Sequence, residues 1–234
     1  MSHKTAFVTG ASRGIGAAIA RKILTEGYGR LYVAARDTDR FAETILMLRA
    51  ACKDGQEVVP IYGDFSKLDD VQEAVKQVLA RKENIDVLVN NAGFTAPNSI
   101  FEATVDELEQ TFAVNLRAPF YIVQQMLREG NTFTHIVNIA STAGVKGRAG
   151  WATYSASKAA MISFSESIRE ELAPLGTRVI CLSPGRCATD LRRTLAPEED
   201  PTTIMQPESV ADVVALTISA EGRFMDTENI VVRL

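Results

Sequence analysis

Short runs of consecutive apolar residues alternate, from one end of the chain to the other, with longer stretches in which apolar positions recur every three or four residues. The runs fall at Thr5–Thr9, Arg30–Ala35, Glu57–Tyr62, Asp86–Asn90, His135–Ala140, Arg178–Ser183 and Asn229–Val232. Their apolar content is continuous rather than alternating, the pattern of strands covered on both faces. Helical spacing occupies Gly14–Glu26, Asp39–Cys52, Leu68–Arg81, Val105–Leu127, Ala152–Ala173 and Glu208–Ser219. This order predicts βαβ units with right-handed crossovers. The expected fold is one α/β domain over residues 1–234, a doubly wound, seven-stranded, mostly parallel sheet with helices on both faces. One stretch breaks the rhythm. Ala188 to Gln206 contains Pro197, Pro201 and the acidic run Glu198-Glu199-Asp200, and long loops in compact α/β domains tend to cover sites. Residues 188–206 are therefore predicted to be a mobile flap.

Composition narrows the functional classes. The 234 residues are 46% hydrophobic, ordinary for a globular protein, and the net charge is −4. Such a chain offers no overall positive field for nucleic acid or an anionic membrane, and neither is expected as a partner. Three cysteines, Cys52, Cys181 and Cys187, lack metal-ligand spacing. That usage predicts free thiols in a reducing compartment and no metal site. Met1-Ser2-His3-Lys4 runs straight into the first strand with no signal-peptide pattern, and no apolar run approaches the roughly 18 residues of a membrane span. The expected location is cytoplasmic.

The stretch "VTGASRGIG", residues 8–16, forms the turn from the first strand into the first helix. A helix N-terminus presents unpaired N–H groups and the positive end of its dipole, so it suits a phosphate when no side chain blocks the approach. Gly10, Gly14 and Gly16 clear that approach, although their Gly-x-x-x-Gly-x-Gly spacing differs from the Gly-x-Gly-x-x-Gly dinucleotide pattern, and a tight turn without a ligand is the bland alternative. A second candidate lies in "YSASK". On a helix Tyr154 and Lys158 share a face, so the ammonium can favour the phenolate form of a group that is otherwise a poor acid-base catalyst at neutral pH. Solvated helices also carry such pairs. Ser141 stands just past the strand His135–Ala140, at a strand C-terminal end, where open α/β sheets bind ligands.

With Gly10-x-x-x-Gly14-x-Gly16, Asn90-Asn91-Ala92-Gly93, Ser141 and Tyr154-x-x-x-Lys158 in order, the chain resembles the short-chain dehydrogenase/reductase family, and within it the 3-oxoacyl-acyl-carrier-protein reductases. The likeness runs from Thr5 to about Thr189. It implies a Rossmann-type fold and an NAD(P)-dependent enzyme that interconverts a ketone and a secondary alcohol. Tyr154 would then be the general acid or base and Ser141 would hold the carbonyl oxygen. Lys158 would lower the Tyr154 pKa and bind the nicotinamide ribose, and Asn115, in "AVNLR", would anchor a water in a proton relay to Lys158. Further cofactor contacts carried over are Ser12 and Ile15 in the glycine turn and Asp64 on the adenine amino group, with local capping near Ser66 as its alternative. Asn91, Ala92 and Gly93 would line the adenine-ribose side, and Pro184, Gly185 and Thr189 the nicotinamide end. The family also implies a homodimer or homotetramer. The Gly-Gly tail common in the family is missing before Leu234, which weakens the expectation of the tetramer.

Cofactor choice rests on charge. A site for NAD needs an acid at the end of the second strand to accept from the ribose 2′-hydroxyl, whereas a 2′-phosphate needs cations. Ala35 occupies the acid's position, Arg36 follows it, and Arg13 projects from the glycine turn. These residues predict NADP(H), with NAD(H) possible through Asp37 or Asp39 if the strand ends later. Pocket candidates are Phe94, Thr95, Ala143, Gly144, Arg148, Trp151, Arg186 and the flap from Leu191. Arg148, Arg186, Arg192 and Arg193 could meet an anionic group such as a carboxylate or phosphopantetheine, with solvated surface arginines the bland alternative for Arg192 and Arg193. The resemblance implies a small carbonyl or alcohol substrate, a 3-oxoacyl thioester or alternatively a sugar, steroid or other alcohol. A non-catalytic NADP(H) sensor is the reading from another functional class.

Overall fold

The computed structural model describes residues 3–219 and 229–233; Met1, Ser2 and Leu234, the ends of the predicted domain, lie outside the described residues. The strands are β1 (Thr5–Thr9), β2 (Arg30–Ala35), β3 (Glu57–Tyr62), β4 (Val87–Asn90), β5 (His135–Ile139), β6 (Arg178–Pro184) and β7 (Asn229–Val232). They form one sheet in the order β3-β2-β1-β4-β5-β6-β7, and every neighbouring pair is parallel. Interleaved with them are α1 (Gly14–Thr25), α2 (Asp39–Ala50), α3 (Leu68–Leu79), α4 (Val105–Phe112), α5 (Ala118–Arg128), α6 (Thr142–Val145), α7 (Ala152–Leu172), α8 (Asp190–Leu195) and α9 (Pro207–Ile218).

The continuous apolar runs of the central strands have a direct cause in the two helical layers. Val8, Val33, Val89, Val137 and Ile180 point to one face, where they pack with Ile19 and Ile23 of α1, Phe41 of α2 and Val214 of α9. Their neighbours Phe7, Tyr32, Leu88, Ile136 and Val179 point to the other, against Val75 of α3 and Ile122 and Met126 of α5. Since successive side chains alternate faces, a sheet covered on both sides needs apolar residues at every position. The strand order reverses direction between β1 and β4, which opens a crevice at the carboxyl ends of those strands.

Two elements differ from the sequence expectation. The single helix predicted over Val105–Leu127 is interrupted by a π-helical turn at Ala113–Arg117, where the Ala118 amide reaches back to the Ala113 carbonyl. Pro119 explains it: proline has no N–H to give the Asn115 carbonyl in α-helical register, so the turn widens. The stretch 188–206 also carries regular structure that its composition did not suggest. Thr189 caps α8 by accepting from the Arg192 amide at 3.2 Å, and Asp200 caps a 3₁₀ turn at Pro201–Thr203. Backbone bonds from Ala188 to Met205 (2.7 Å) and from Met205 to Arg186 (3.2 Å) pin the base of this segment. Short caps of this kind leave too little periodicity to be read ahead of the structure.

Candidate active site

The glycine turn is held by contacts that exclude larger residues. A Cβ on Gly16 would lie 2.2 Å from the Gly10 carbonyl oxygen and 2.3 Å from Asn91 Nδ2, and Gly10 adopts a positive φ of 66°. Asn91 Nδ2 donates to the carbonyls of Thr9 (2.9 Å) and Gly10 (3.1 Å), and Thr9 Oγ1 accepts from the amides of Asn91 and Ala92, both at 3.0 Å. The Asn91-Ala92-Gly93 segment after β4 is thereby braced against the end of β1. Thr9 is a bracing residue that no sequence motif flagged. Arg13 starts α1 with no side-chain cap and no acidic residue in the first turn, so the first amides of α1 remain open to an anion. Ser12 accepts from Thr44 Oγ1 at 2.7 Å through its carbonyl, tying the turn to α2. Ile15 packs on Cys187 and Met205.

β2 ends at Ala35, with Arg36 the next residue and exposed. Asp37 therefore falls in the following turn and Asp39 in the first turn of α2, and neither lines the cavity. Arg13 is half-exposed and sits 3.8 Å from Asp190. Asp64 Oδ1 accepts from the Ser66 amide (3.0 Å) and hydroxyl (2.8 Å). Burial pushes the Asp64 pKa up, but the two Ser66 contacts, with Arg36 and Lys67 nearby, outweigh it and hold the group below its ordinary value.

The reacting groups converge from β5, α6 and α7. Ser141 caps α6, its Oγ accepting from the Ala143 amide at 3.1 Å while its hydroxyl is hydrogen-bonded to Tyr154. Lys158 is buried, donates to the Ile139 carbonyl at 2.8 Å and stands 5.8 Å from the centre of the Tyr154 ring. Burial lowers its pKa to about 8, against a small opposing effect of the Cys181 thiol. The Tyr154 phenol, set edge-on to Trp151 at 5.8 Å, is pushed above its ordinary value by burial, with a hydrogen bond to Ser141 pulling it down. The lowering expected from Lys158 is therefore not what the protein's own groups produce. Asn115 is fully buried in the π turn. Its amide nitrogen donates to the Phe94 carbonyl (3.0 Å) and Ser157 Oγ (2.9 Å), and its Oδ1 accepts from the Phe94 amide (2.8 Å). Its side chain pins the loop after β4 to α7.

One cavity of about 540 Å³ runs through these features, within the range of roughly 300–1,000 Å³ typical of ligand pockets. Every residue predicted for cofactor contact or catalysis lines it except Asn115. Of the pocket candidates, Phe94, Thr95, Ala143, Arg148, Trp151, Arg186, Leu191 and Arg192 line it, whereas Gly144 and Arg193 do not. Gly144 instead lies against the α7 backbone, where a Cβ would come within 2.5 Å of Lys158. Thr95 Oγ1 is buried with no hydrogen-bond partner among the described residues.

Residues 4–200 match the family profile described as short chain dehydrogenase. The chain belongs to the short-chain dehydrogenase family. The chain is 31% identical over 240 residues to a 3-oxoacyl-[acyl-carrier-protein] reductase of Staphylococcus epidermidis, covering 97% of this chain and 96% of the relative. Among solved structures, actinorhodin polyketide ketoreductase with NADPH superposes with a TM-score of 0.87 at 30% identity, over 98% of this chain and 95% of the other. The 3-ketoacyl-(acyl-carrier-protein) reductase of Brucella melitensis complexed with NADH gives a TM-score of 0.82 at 25% identity, over 98% and 96%. This short-chain dehydrogenase is thus an NAD(P)-dependent oxidoreductase by family, and its cavity brings together the glycine turn and the Ser141, Tyr154 and Lys158 side chains.

Proposed function

We propose that this short-chain dehydrogenase reduces the ketone of a small carbonyl compound to a secondary alcohol with NADP(H), the 3-oxoacyl thioesters being the favoured substrate class. The observation that carries the reading is the shared cavity, with Ser141, Tyr154 and Lys158 in one part and the uncapped start of α1 with Arg13 and Arg36 in another. The residues fit a dinucleotide. The glycine turn admits a pyrophosphate, and no acid lines the cavity at the end of β2, where a ribose 2′-hydroxyl would need one. Arg13 and Arg36 would hold the 2′-phosphate by charge-assisted bonds. The nicotinamide supplies the hydride when bound. Ser141 would hold the carbonyl oxygen by a hydrogen bond from its hydroxyl, keeping its own proton. Tyr154 then gives its phenolic proton to the same oxygen, a role suited to a phenol that burial keeps protonated at neutral pH.

Lys158 would hold the nicotinamide ribose hydroxyls and replenish the proton of Tyr154. The Cβ position left open by Gly93 is 3.7 Å from Asn115 Oδ1 and 3.8 Å from Lys158 Nζ. Both groups face the same opening, and the Asn115 carbonyl lacks its α-helical donor because residue 119 is proline. These features support a water there that links Lys158 to solvent, with Asn115 as a positioning residue. The partly exposed Phe120 of α5 and Phe164 of α7, 6.0 Å apart, line a shallow groove that favours pairing of two copies into a homodimer. No described helix is long and apolar enough to cross a membrane, and the three cysteines are free thiols, which supports a cytoplasmic setting.

The deciding experiment measures NADPH and NADH dissociation constants by cofactor fluorescence. NADPH should bind more tightly, and Arg13→Ala and Arg36→Ala should each weaken NADPH about 10- to 100-fold while leaving NADH nearly unchanged. Equal binding of the two cofactors by the wild type would overturn the phosphate clamp.

A further inference from the structure

Arg186 and Arg192 line the cavity, yet neither offers its full charge to a ligand. Arg192 meets Glu199 in a two-pronged pair, Nε to Oε2 at 2.6 Å and Nη2 to Oε1 at 2.9 Å, and Arg186 Nη1 donates to the same Oε1 at 2.8 Å. The Glu199 side chain is only 14% exposed. Arg192, then Arg186, hold its carboxylate down to about 2, so it is ionised throughout the neutral range. Glu199 is not among the residues that line the cavity; it grips both guanidiniums from outside.

The place of these arginines in the fold gives the contact its meaning. β5 and β6 are neighbours, and the Ala140 amide donates to the Leu182 carbonyl at 2.7 Å. Ser141 and the Pro184-Gly185-Arg186 turn therefore leave adjacent strand ends, and the shared carboxylate brings the Arg192 head to the same spot. Two arginines in the cavity that also holds Ser141 and Tyr154 would ordinarily form a site for a substrate carboxylate. Glu199 takes the Nε–Nη2 edge that such a carboxylate needs for paired bonds and cancels one of the two charges. It also competes from within the chain, at an effective concentration on the order of millimolar or more.

We propose that Glu199 is a specificity-determining residue: it fills the paired-arginine anion site with an internal carboxylate, so the cavity takes uncharged ketones, esters and thioesters in preference to free oxo acids. This deepens the carbonyl-reductase reading and rests on it. The wall supplied by Phe94, Val114, Trp151 and Leu191 suits the same class of substrate. Arg148, exposed and with its guanidinium donating to Thr142 Oγ1 at 3.4 Å, is common to every variant below and drops out of the comparison.

The test compares acetoacetate with ethyl acetoacetate, which share the 3-oxo group and differ in charge. Trp151 is the sole tryptophan and lines the cavity, so its fluorescence reports binding to the NADP⁺-loaded protein without turnover. Glu199→Gln should tighten acetoacetate relative to the ester about 10-fold or more. Glu198→Gln, which makes the same charge change at an exposed neighbour, should move the ratio less than about 2-fold. Arg186→Gln combined with Glu199→Gln should erase most of the gain. With NADPH, the kcat/KM ratio of the two compounds should move in step with the binding ratio. An unchanged ratio in Glu199→Gln, an equal shift in Glu198→Gln, or a change confined to NADP⁺ affinity would each overturn the proposal, as would failure of acetoacetate to bind the variant. If the wild type binds but reduces neither compound, the reductase reading fails for this substrate class, while the binding ratio still decides the role of Glu199.

Discussion

The phenol of Tyr154 and the ammonium of Lys158 are both buried, and burial disfavours the charged form of each. Tyr154 is pushed up and stays protonated, while Lys158 is pulled down to about 8. This combination favours proton donation at neutral pH and makes the lysine the group that titrates first on the alkaline side. Its cationic form dominates below about pH 8, so its help with ribose binding and proton supply is present there and is lost as pH rises through that value. The expected kcat/KM profile for carbonyl reduction therefore falls above pH 8, and Lys158→Met should remove that limb together with most of the activity. Tyr154→Phe should lower kcat/KM by about 1,000-fold or more. NADPH affinity should change little in that variant, because the phenyl ring preserves the packing against Trp151. A phenylalanine enzyme with near-normal turnover would remove Tyr154 from the chemistry.

At the level of elements, the glycine turn couples stability to cofactor binding. Gly16 lies where β1, α1 and the segment after β4 meet, and a Cβ there would run into the Gly10 carbonyl and the Asn91 amide. Gly16→Ala should cost about 1–3 kcal/mol of stability through forced displacement. By widening the turn it should also weaken NADPH about 10-fold, both readable from thermal unfolding with and without cofactor. The strand positions, the glycine turn and the Tyr154-x-x-x-Lys158 pair were legible in the sequence because each repeats a local pattern: an apolar run, a fixed spacing, a shared helix face. The π turn left a single trace, Pro119 four residues past Asn115, and helical periodicity runs straight across it. Thr9 was invisible as a brace because an ordinary strand threonine acquires that role only when β4 lies beside β1. Glu199 stood in an acidic run that composition alone assigns to solvent. Which arginine it grips is fixed by the caps of α8 and the Pro201–Thr203 turn, and these depend on tertiary contacts.

Across the whole molecule, chemistry and acid stability sit at opposite ends of the sheet. The carboxyl ends of β1, β4, β5 and β6 carry the cavity, whereas the amino ends carry Arg30, Glu57 and His135 in first-strand positions. Arg30 and Arg81 pair with Glu57 at 2.7 and 2.9 Å, and Arg30 and Tyr32 both reach Glu83. His135 Nδ1 lies 3.0 Å from Thr134 Oγ1, and its Nε2 is buried with no partner among the described residues. Burial, with Arg178 and Lys4 nearby, lowers the His135 pKa to about 4 from an ordinary value of 6.5. In the unfolded chain the ring takes up a proton below about pH 6.5, while in the folded protein it resists protonation until about pH 4. Between those values the unfolded state binds more protons, so stability falls as pH falls, with no contribution from this group above pH 6.5. Allowing for partial solvent access, the loss between pH 7 and pH 5 should be on the order of 1–2 kcal/mol. Urea unfolding at the two pH values measures it directly. His135→Gln should flatten the difference while leaving the NADPH dissociation constant at pH 7 unchanged, because the cavity lies at the far end of the strands. A variant that kept the full pH 5 loss would move the origin of acid sensitivity to the carboxylates. Glu57 and Asp64 are held below their ordinary values and lose their stabilising contribution only at lower pH, so extending the same titration to pH 3 would separate the two sources.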